Sequence, residues 1–227
     1  RFVLPGPTVG PADWQAGLEL LRTPPPITLS AAPHWVIASG SLPPGVPDDF
    51  YAQAARLAKA QGRHVVLDTS GPPLAAALQA GVTLVKPSLR ELRELLQQPL
   101  ASLLEQSQAA QSLVLRGSAD MVALSLGEDG ALLATRHGVW QAPALYVPAA
   151  TWTTGAGDCF LATLVWALWE AGFDGWAQVP RLLAPTIVLV MVLTTLPVLR
   201  GPARRRFEAV GVGLSRAITP KEFVIEE

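Results

Sequence analysis

Short apolar runs and longer amphipathic ones alternate between residue 34 and about residue 175. HWVIASG (34–40) reads as a short buried strand ending in a glycine-rich turn. PDDFYAQAARLAKAQG (47–62) follows with an acidic start, helical apolar spacing and Gly62 at its end. HVVLDTSG (64–71) is again of strand length, PLAAALQAG (73–81) is helical, and VTLVKPS (82–88) is strand-like. LRELRELLQQ (89–98) and ASLLEQSQAAQSLV (101–114) continue as helices. Strands and helices at this spacing predict right-handed β-α-β units around a mostly parallel sheet. From residue 121 the rhythm changes: MVALSLGEDGALLATRHGVWQAPAL carries short β-type runs separated by Glu-Asp-Gly and His-Gly, which read as hairpin turns.

The two ends behave differently. The first 33 residues are rich in Pro and Gly and hold one candidate helix, PADWQAGLELL (11–21). Residues 182–199, LLAPTIVLVMVLTTLPVL, carry no charge and precede the basic RGPARRR, a pattern that fits a membrane span with a basic flank. Two prolines, three threonines and a length at the lower spanning limit fit a buried helix or a pair of core strands equally well.

Half of the 227 residues are hydrophobic and 15% are charged, enough for a sizeable core. A formal net charge of −1 gives no electrostatic footprint for nucleic acid. The single cysteine, Cys159, excludes an internal disulfide framework and fits a reducing compartment, so a cytoplasmic location is expected. No signal peptide is legible, and the chain opens on Arg1 in place of Met, which reads as a fragment or processed product.

The chemistry concentrates in TTGAGDCF (153–160). If CFLATLVWALWEAG (159–172) is a helix, Gly155, Ala156 and Gly157 form its approach and Asp158 lies in its first turn. Such a start presents unpaired N–H groups and the positive end of the helix dipole, and glycines let an anion approach them. Asp158 would then sit beside a bound phosphate, placed to take a proton from an attacking hydroxyl. An ordinary glycine-rich helix entry capped by Asp explains the same eight residues. Three further clusters follow predicted strands: Gly40-Ser41-Leu42-Pro43-Pro44-Gly45, Lys86-Pro87-Ser88 with Glu91, and Ser125-Leu126-Gly127 with Gly130. Ligand loops of open α/β sheets gather at such strand ends. No Walker-type GxxxxGK[ST] or Gly-x-Ser-x-Gly elbow is present, and His34, His64 and His137 lack ligand spacing with one another or with Cys159.

In order and context, SGSLPPG, DTSG, VKPS with Glu91, SLGEDGA and TTGAGD resemble the PfkB (ribokinase-like) family of carbohydrate kinases, in its phosphofructokinase branch. The resemblance implies a three-layer α/β/α fold with a mostly parallel central sheet, truncated at its N-terminus. It implies ATP-dependent phosphorylation of a sugar phosphate: fructose 6-phosphate, fructose 1-phosphate or tagatose 6-phosphate. Asp158 matches the catalytic base, and the N–H groups of Gly155, Ala156 and Gly157 match the anion hole for the phosphoryl group in transit. Ser125, Gly127, Gly130, Thr154 and Lys86 match nucleotide-binding positions, Ser41 a sugar-phosphate contact, and Glu91 a residue that organises Mg²⁺ through water. For Lys86 and Asp68 a structural ion pair competes with a ligand role. A homodimer is implied for the full-length enzyme, with no nucleic-acid partner and no requirement for a membrane.

The pattern also departs from the family. Ser88 stands where Asn is usual, and Trp152 precedes the threonines where a small or polar residue is usual. The family's amino-terminal third, with its lid and sugar loop, has no counterpart, and the resemblance fades after residue 176. The expected organisation is a kinase core over 1–176 and a divergent segment over 177–227. Three functions stay open: the sugar-phosphate kinase, a kinase of an unphosphorylated sugar or nucleoside, and an inactive remnant binding nucleotide at most, held at a membrane by residues 182–199. Little kinase activity is expected of this chain alone, because half of a closed sugar site is missing.

Overall fold

The structure, a computed structural model, describes residues 6–22, 35–144, 155–170 and 221–223. Thr154, Trp152 and the apolar run at 182–199 lie outside the described residues. The chain divides into two units, Arg1–Val122 and Ala123–Glu227.

In the first unit the alternating pattern becomes β1 (Trp35–Ser39), α2 (Phe50–Lys59), β2 (His64–Asp68), α3 (Gly71–Ala80), β3 (Val82–Val85), α4 (Leu89–Leu96), α5 (Leu103–Leu115) and β4 (Ala119–Ser125), preceded by α1 (Pro11–Arg22). β4 continues into the second unit. Each strand pairs in parallel with the next, in the registers Ser39↔Asp68, Leu67↔Val85 and Val85↔Val122. The β-α-β reading therefore holds strand by strand.

Burial sets which strands are central. All four residues of β3 are buried, so both of its faces are covered, as a parallel strand requires. Fully burying one Leu or Val contributes about 1.5–3 kcal/mol, against about 0.5–1.5 for one hydrogen bond. Leu67, Leu74, Leu84, Leu92, Leu113 and Met121 supply that term here. β1 is different. Among the described strands of this unit it pairs only with β2, and Ile37 is 53% exposed, giving the sheet an apolar edge. Ala52, Ala55 and Ala58 are buried on α2, which packs against α3.

Local signals fix the helix ends. Ser88 and Ser102 open α4 and α5 with reciprocal capping boxes to Glu91 and Glu105, which satisfy two otherwise orphaned N–H groups each. The acidic start of α2 works otherwise: Asp49 makes no side-chain cap bond, and its carboxylate accepts from Gln53 Nε2 at 3.0 Å.

In the second unit β5 (Ala131–Thr135) and β6 (Gly138–Ala142) form the expected antiparallel hairpin across Arg136-His137, and β7 (Lys221–Phe223) pairs antiparallel with β6. The Glu-Asp-Gly stretch is a tight 3₁₀ turn over Gly127–Asp129. α6 (Ala156–Glu170) buries Phe160, Leu161, Leu164, Val165 and Leu168 and exposes Trp166 and Trp169. Among the described residues no helix is long and apolar enough to cross a membrane.

Candidate active site

The carboxyl ends of β1 and β3 carry two of the singled-out clusters and that of β2 carries the DTSG landmark, where ligands of open α/β sheets bind. After β1, Gly40 is held from three directions. Its N–H donates to the Asp68 carbonyl at 2.9 Å, and its own carbonyl accepts from Thr69 Oγ1 at 2.8 Å and from the Tyr51 hydroxyl at 3.0 Å. Burial pushes the Tyr51 phenol pKa above its ordinary value, so this donor stays protonated at neutral pH. Ser41, the predicted substrate contact, follows immediately and is exposed. Thr69 and Tyr51 were not among the residues singled out from sequence. The DTSG landmark contains the first, but nothing in the spacing points to the second.

At the ends of β2 and β3, Lys86 Nζ lies 3.1 Å from Asp68 Oδ2, with the two side chains 6% and 17% exposed. The backbone N–H of Lys86 also donates to the Leu67 carbonyl at 3.0 Å, locking the two strand ends together. The structural ion pair considered for these residues is present. A cation this deeply buried is tolerated because its counter-charge is beside it.

Two residues beyond Lys86, the capping box that starts α4 governs Glu91. Its Oε2 accepts from the Ser88 N–H at 2.9 Å, while Ser88 Oγ accepts from the Glu91 N–H at 3.3 Å. The Glu91 Oε1 lies 3.5 Å from Arg90 Nη2. Among the described residues no group of three or more His, Cys, Asp or Glu could cage a metal ion. A single partly exposed carboxylate does fit Mg²⁺, which keeps most of its waters and uses one or two carboxylates plus substrate phosphates.

In the second unit Ser125 ends β4, and Gly127 and Gly130 shape the turn that follows. The Leu126 N–H donates to the Gly130 carbonyl at 2.8 Å, and the Gly130 N–H donates to the Gly127 carbonyl at 3.2 Å. Gly130 has φ +94, and a Cβ there would run into the Ala142 carbonyl oxygen and the Ala144 nitrogen. Only glycine fits.

α6 starts three residues before the expected 159, so Ala156 and Gly157 belong to its first turn and only Gly155 remains as the approach; Asp158 lies in the first turn as expected. Gly155, with φ +84, turns the chain, and the first helical bond among the described residues runs from the Cys159 N–H to the Gly155 carbonyl at 2.9 Å. The N–H groups of Gly155, Ala156, Gly157 and Asp158 precede it and are the four that a helix start leaves without intrahelical partners. A Cβ at Gly155 would meet no described atom within 4 Å, so backbone conformation, not crowding, selects glycine there. Asp158 lies in this first turn and is exposed, not sunk in hydrocarbon.

Parallel β-α-β units in one unit, with an antiparallel hairpin and a glycine-led helix in the other, define the class: an α/β protein of ribokinase-like fold. Residues 25–175 match the pfkB family carbohydrate kinases, and the chain belongs to that family. It is 42% identical over 164 residues to the ATP-dependent 6-phosphofructokinase isozyme 2 of Mycobacterium tuberculosis, covering 72% of this chain and 46% of that protein. With the 1-phosphofructokinase of Rhodobacter capsulatus it shares 39% over 163 residues, 72% of this chain and 50% of the relative. The crystal structure of Escherichia coli phosphofructokinase-2 in complex with potassium superposes with a TM-score of 0.77 at 28% identity, over 95% of this chain and 66% of that one. The chain thus spans about half the length of the curated relatives it matches.

Proposed function

We propose that this chain is part of an ATP-dependent kinase that phosphorylates a hydroxyl of a ketohexose phosphate, with fructose 6-phosphate as the leading acceptor. The observation that carries the reading is the start of α6: the amides that precede the first helical bond and an exposed Asp158 occupy one turn. In this reading the N–H groups of Gly155, Ala156 and Gly157 hold the charge that spreads over the phosphoryl oxygens during transfer, stabilisation by dipoles already in place. Asp158 accepts the proton of the attacking hydroxyl. Ser125, Gly127 and Gly130 form the nucleotide-side turn, with Thr154 assigned to the same side. Ser41, on the loop tied through Gly40, contacts the sugar phosphate. Lys86 acts through the strand-end ion pair with Asp68, which holds the floor beneath the loops that follow β1 and β3. Glu91 would hold Mg²⁺ through water, and bound Mg²⁺ supplies charge neutralisation at the ATP phosphates. The names of the matched relatives support a phosphorylated ketose and leave open which carbon carries its phosphate. A homodimer is proposed for the full-length enzyme.

The test uses the complete gene product with ATP, Mg²⁺ and a panel of fructose 6-phosphate, fructose 1-phosphate, tagatose 6-phosphate and unphosphorylated sugars. Asp158→Asn should lower kcat by roughly 10²–10⁴-fold, the usual range for a general base, while nucleotide affinity measured by calorimetry is retained. A variant with near-normal turnover removes Asp158 from the role of base. Preference for an unphosphorylated acceptor moves the enzyme to another branch of the family.

A further inference from the structure

We infer that residues 6–10 position the acceptor loop: through Val9 they moor the outer end of residues 41–45, and so tighten acceptor binding without touching the acceptor; the inference rests on the acceptor reading of Ser41 above. Residues 41–45, Ser-Leu-Pro-Pro-Gly, hold one polar side chain, the exposed Ser41. Pro43 and Pro44 have no N–H, so the loop has few bonds with which to hold itself. Its shape must be imposed from outside. The inner end is tied at Gly40. The outer end is tied by the Val9 N–H, which donates to the Pro44 carbonyl at 2.8 Å. Gly45 lets the two segments come this close: its φ is +91, and a Cβ there would run into the Val9 carbonyl oxygen and crowd Thr8 Cγ2 at 3.2 Å. Because the bond goes to a carbonyl, the side chain at position 44 is free to vary, whereas Gly45 is not.

Both moorings lead back to α2. Tyr51, which holds Gly40, is on α2 itself. Residues 6–10 run directly into α1, the Gly10 carbonyl accepting from the Asp13 and Trp14 N–H groups at 3.1 and 3.2 Å, and α1 packs against α2. Gln61 Nε2 fastens the other end of α1 through the Leu21 carbonyl at 2.8 Å. One helix pair thus frames the loop at both ends, and Ser41 meets its ligand already placed. A loop released at its outer end has to be ordered when the acceptor binds. Ordering one loop side chain on binding corresponds to about two- to ten-fold in affinity.

The experiment measures the KM of the complete gene product for the preferred acceptor of the panel above, with kcat and the KM for ATP read alongside. Gly45→Ala drives a Cβ against Val9, and Val9→Pro removes the N–H donor. Each should raise the acceptor KM about two- to ten-fold, change kcat less than about two-fold and leave the ATP KM unchanged. The double variant should go no further than the more severe single one, because both remove the same mooring. Gly62→Ala places comparable backbone strain, at φ +67, just beyond α2 with nothing within 4 Å, and should leave the acceptor KM unchanged. An acceptor KM unaltered in either mooring variant, an equal rise in Gly62→Ala, or an ATP KM rising in step overturns the inference. Ser41→Ala separates the two claims, since it should raise the acceptor KM as well. If it does not, the acceptor reading of Ser41 fails and takes the mooring with it. If Ser41→Ala raises the KM while a mooring variant does not, that reading stands and the role of residues 6–10 alone is lost. Amide exchange in the unaltered protein gives a reading that needs no variant to fold. The Val9 N–H should exchange at least roughly ten-fold more slowly than an unbonded amide, and an unprotected Val9 overturns the inference.

Discussion

Replacing Lys86 by Met removes the ammonium of the strand-end ion pair and keeps the length of its side chain. Asp68 is then left with a carboxylate only 17% exposed and without the cation at 3.1 Å. Removing one partner of a fully buried pair costs about 3–5 kcal/mol; the residual exposure of Asp68 brings the expected loss to about 2–4 kcal/mol. At about 2–4 °C per kcal/mol for a chain of this size, the thermal midpoint should fall by roughly 5–15 °C. Differential scanning fluorimetry gives the first reading and urea denaturation followed by tryptophan emission the second. Asp68→Asn in the Lys86→Met background should recover part of the loss, because the carboxylate that lost its cation is no longer charged, with a coupling energy of about 1–3 kcal/mol in the double-mutant cycle. A Lys86→Met variant within about 1 kcal/mol of the parent, or strictly additive effects of the two changes, would refute the argument that this pair holds the ends of β2 and β3 together.

Glycine substitutions separate crowding from backbone strain in the turn after β4. Gly130→Ala places a Cβ against the Ala142 carbonyl at φ +94 and should cost at least about 2 kcal/mol by urea denaturation. Gly127→Ala, at φ +63 with open space around it, should cost only about 1–2 kcal/mol; equal losses would show that crowding at Gly130 relaxes away. Acid should expose the second capping box. Hydrogen bonds from the backbone and then the side chain of Ser102, and from the Ala101 backbone, hold the Glu105 carboxyl pKa below its ordinary value. A depressed carboxyl contributes stability that is present above the unfolded-state value and lost as pH falls through the folded one. Urea midpoints taken between neutral pH and the acid range should therefore fall less steeply in Glu105→Gln, and an unchanged slope would contradict the assignment.

Much of the fold is written in the apolar spacing. HVVLD and VTLV are short, β-branched and bounded by polar or glycine punctuation, and both form buried parallel strands. The glycines before Asp158 announce the helix start because few other uses need such permissive backbone next to an acid. The Asp48-Asp49 pair has the composition of a cap for α2, but the side chain of Asp49 is taken by Gln53 instead. Spacing shows that an acid can reach the backbone and not which partner will win. The Ser-x-x-Glu pattern at 88/91 and 102/105 is the sequence form of a capping box, and both boxes close. At position 88 serine closes its box, but asparagine is an equally good helix cap, so capping does not account for the departure. Contacts that depend on tertiary approach leave no trace in spacing: the hydroxyls of Tyr51 and Thr69 on the Gly40 carbonyl.

If Ser41 contacts the acceptor as proposed, the triple tether on Gly40 bears on how acceptor preference would diverge. With both peptide groups of one residue moored, to the end of β2 and to α2, the segment from Leu42 to Pro44 could be rewritten without shifting the anchor of Ser41. Conversely, a change at Thr69, remote in sequence, would slacken that anchor and be felt as altered recognition although no recognising side chain had been touched.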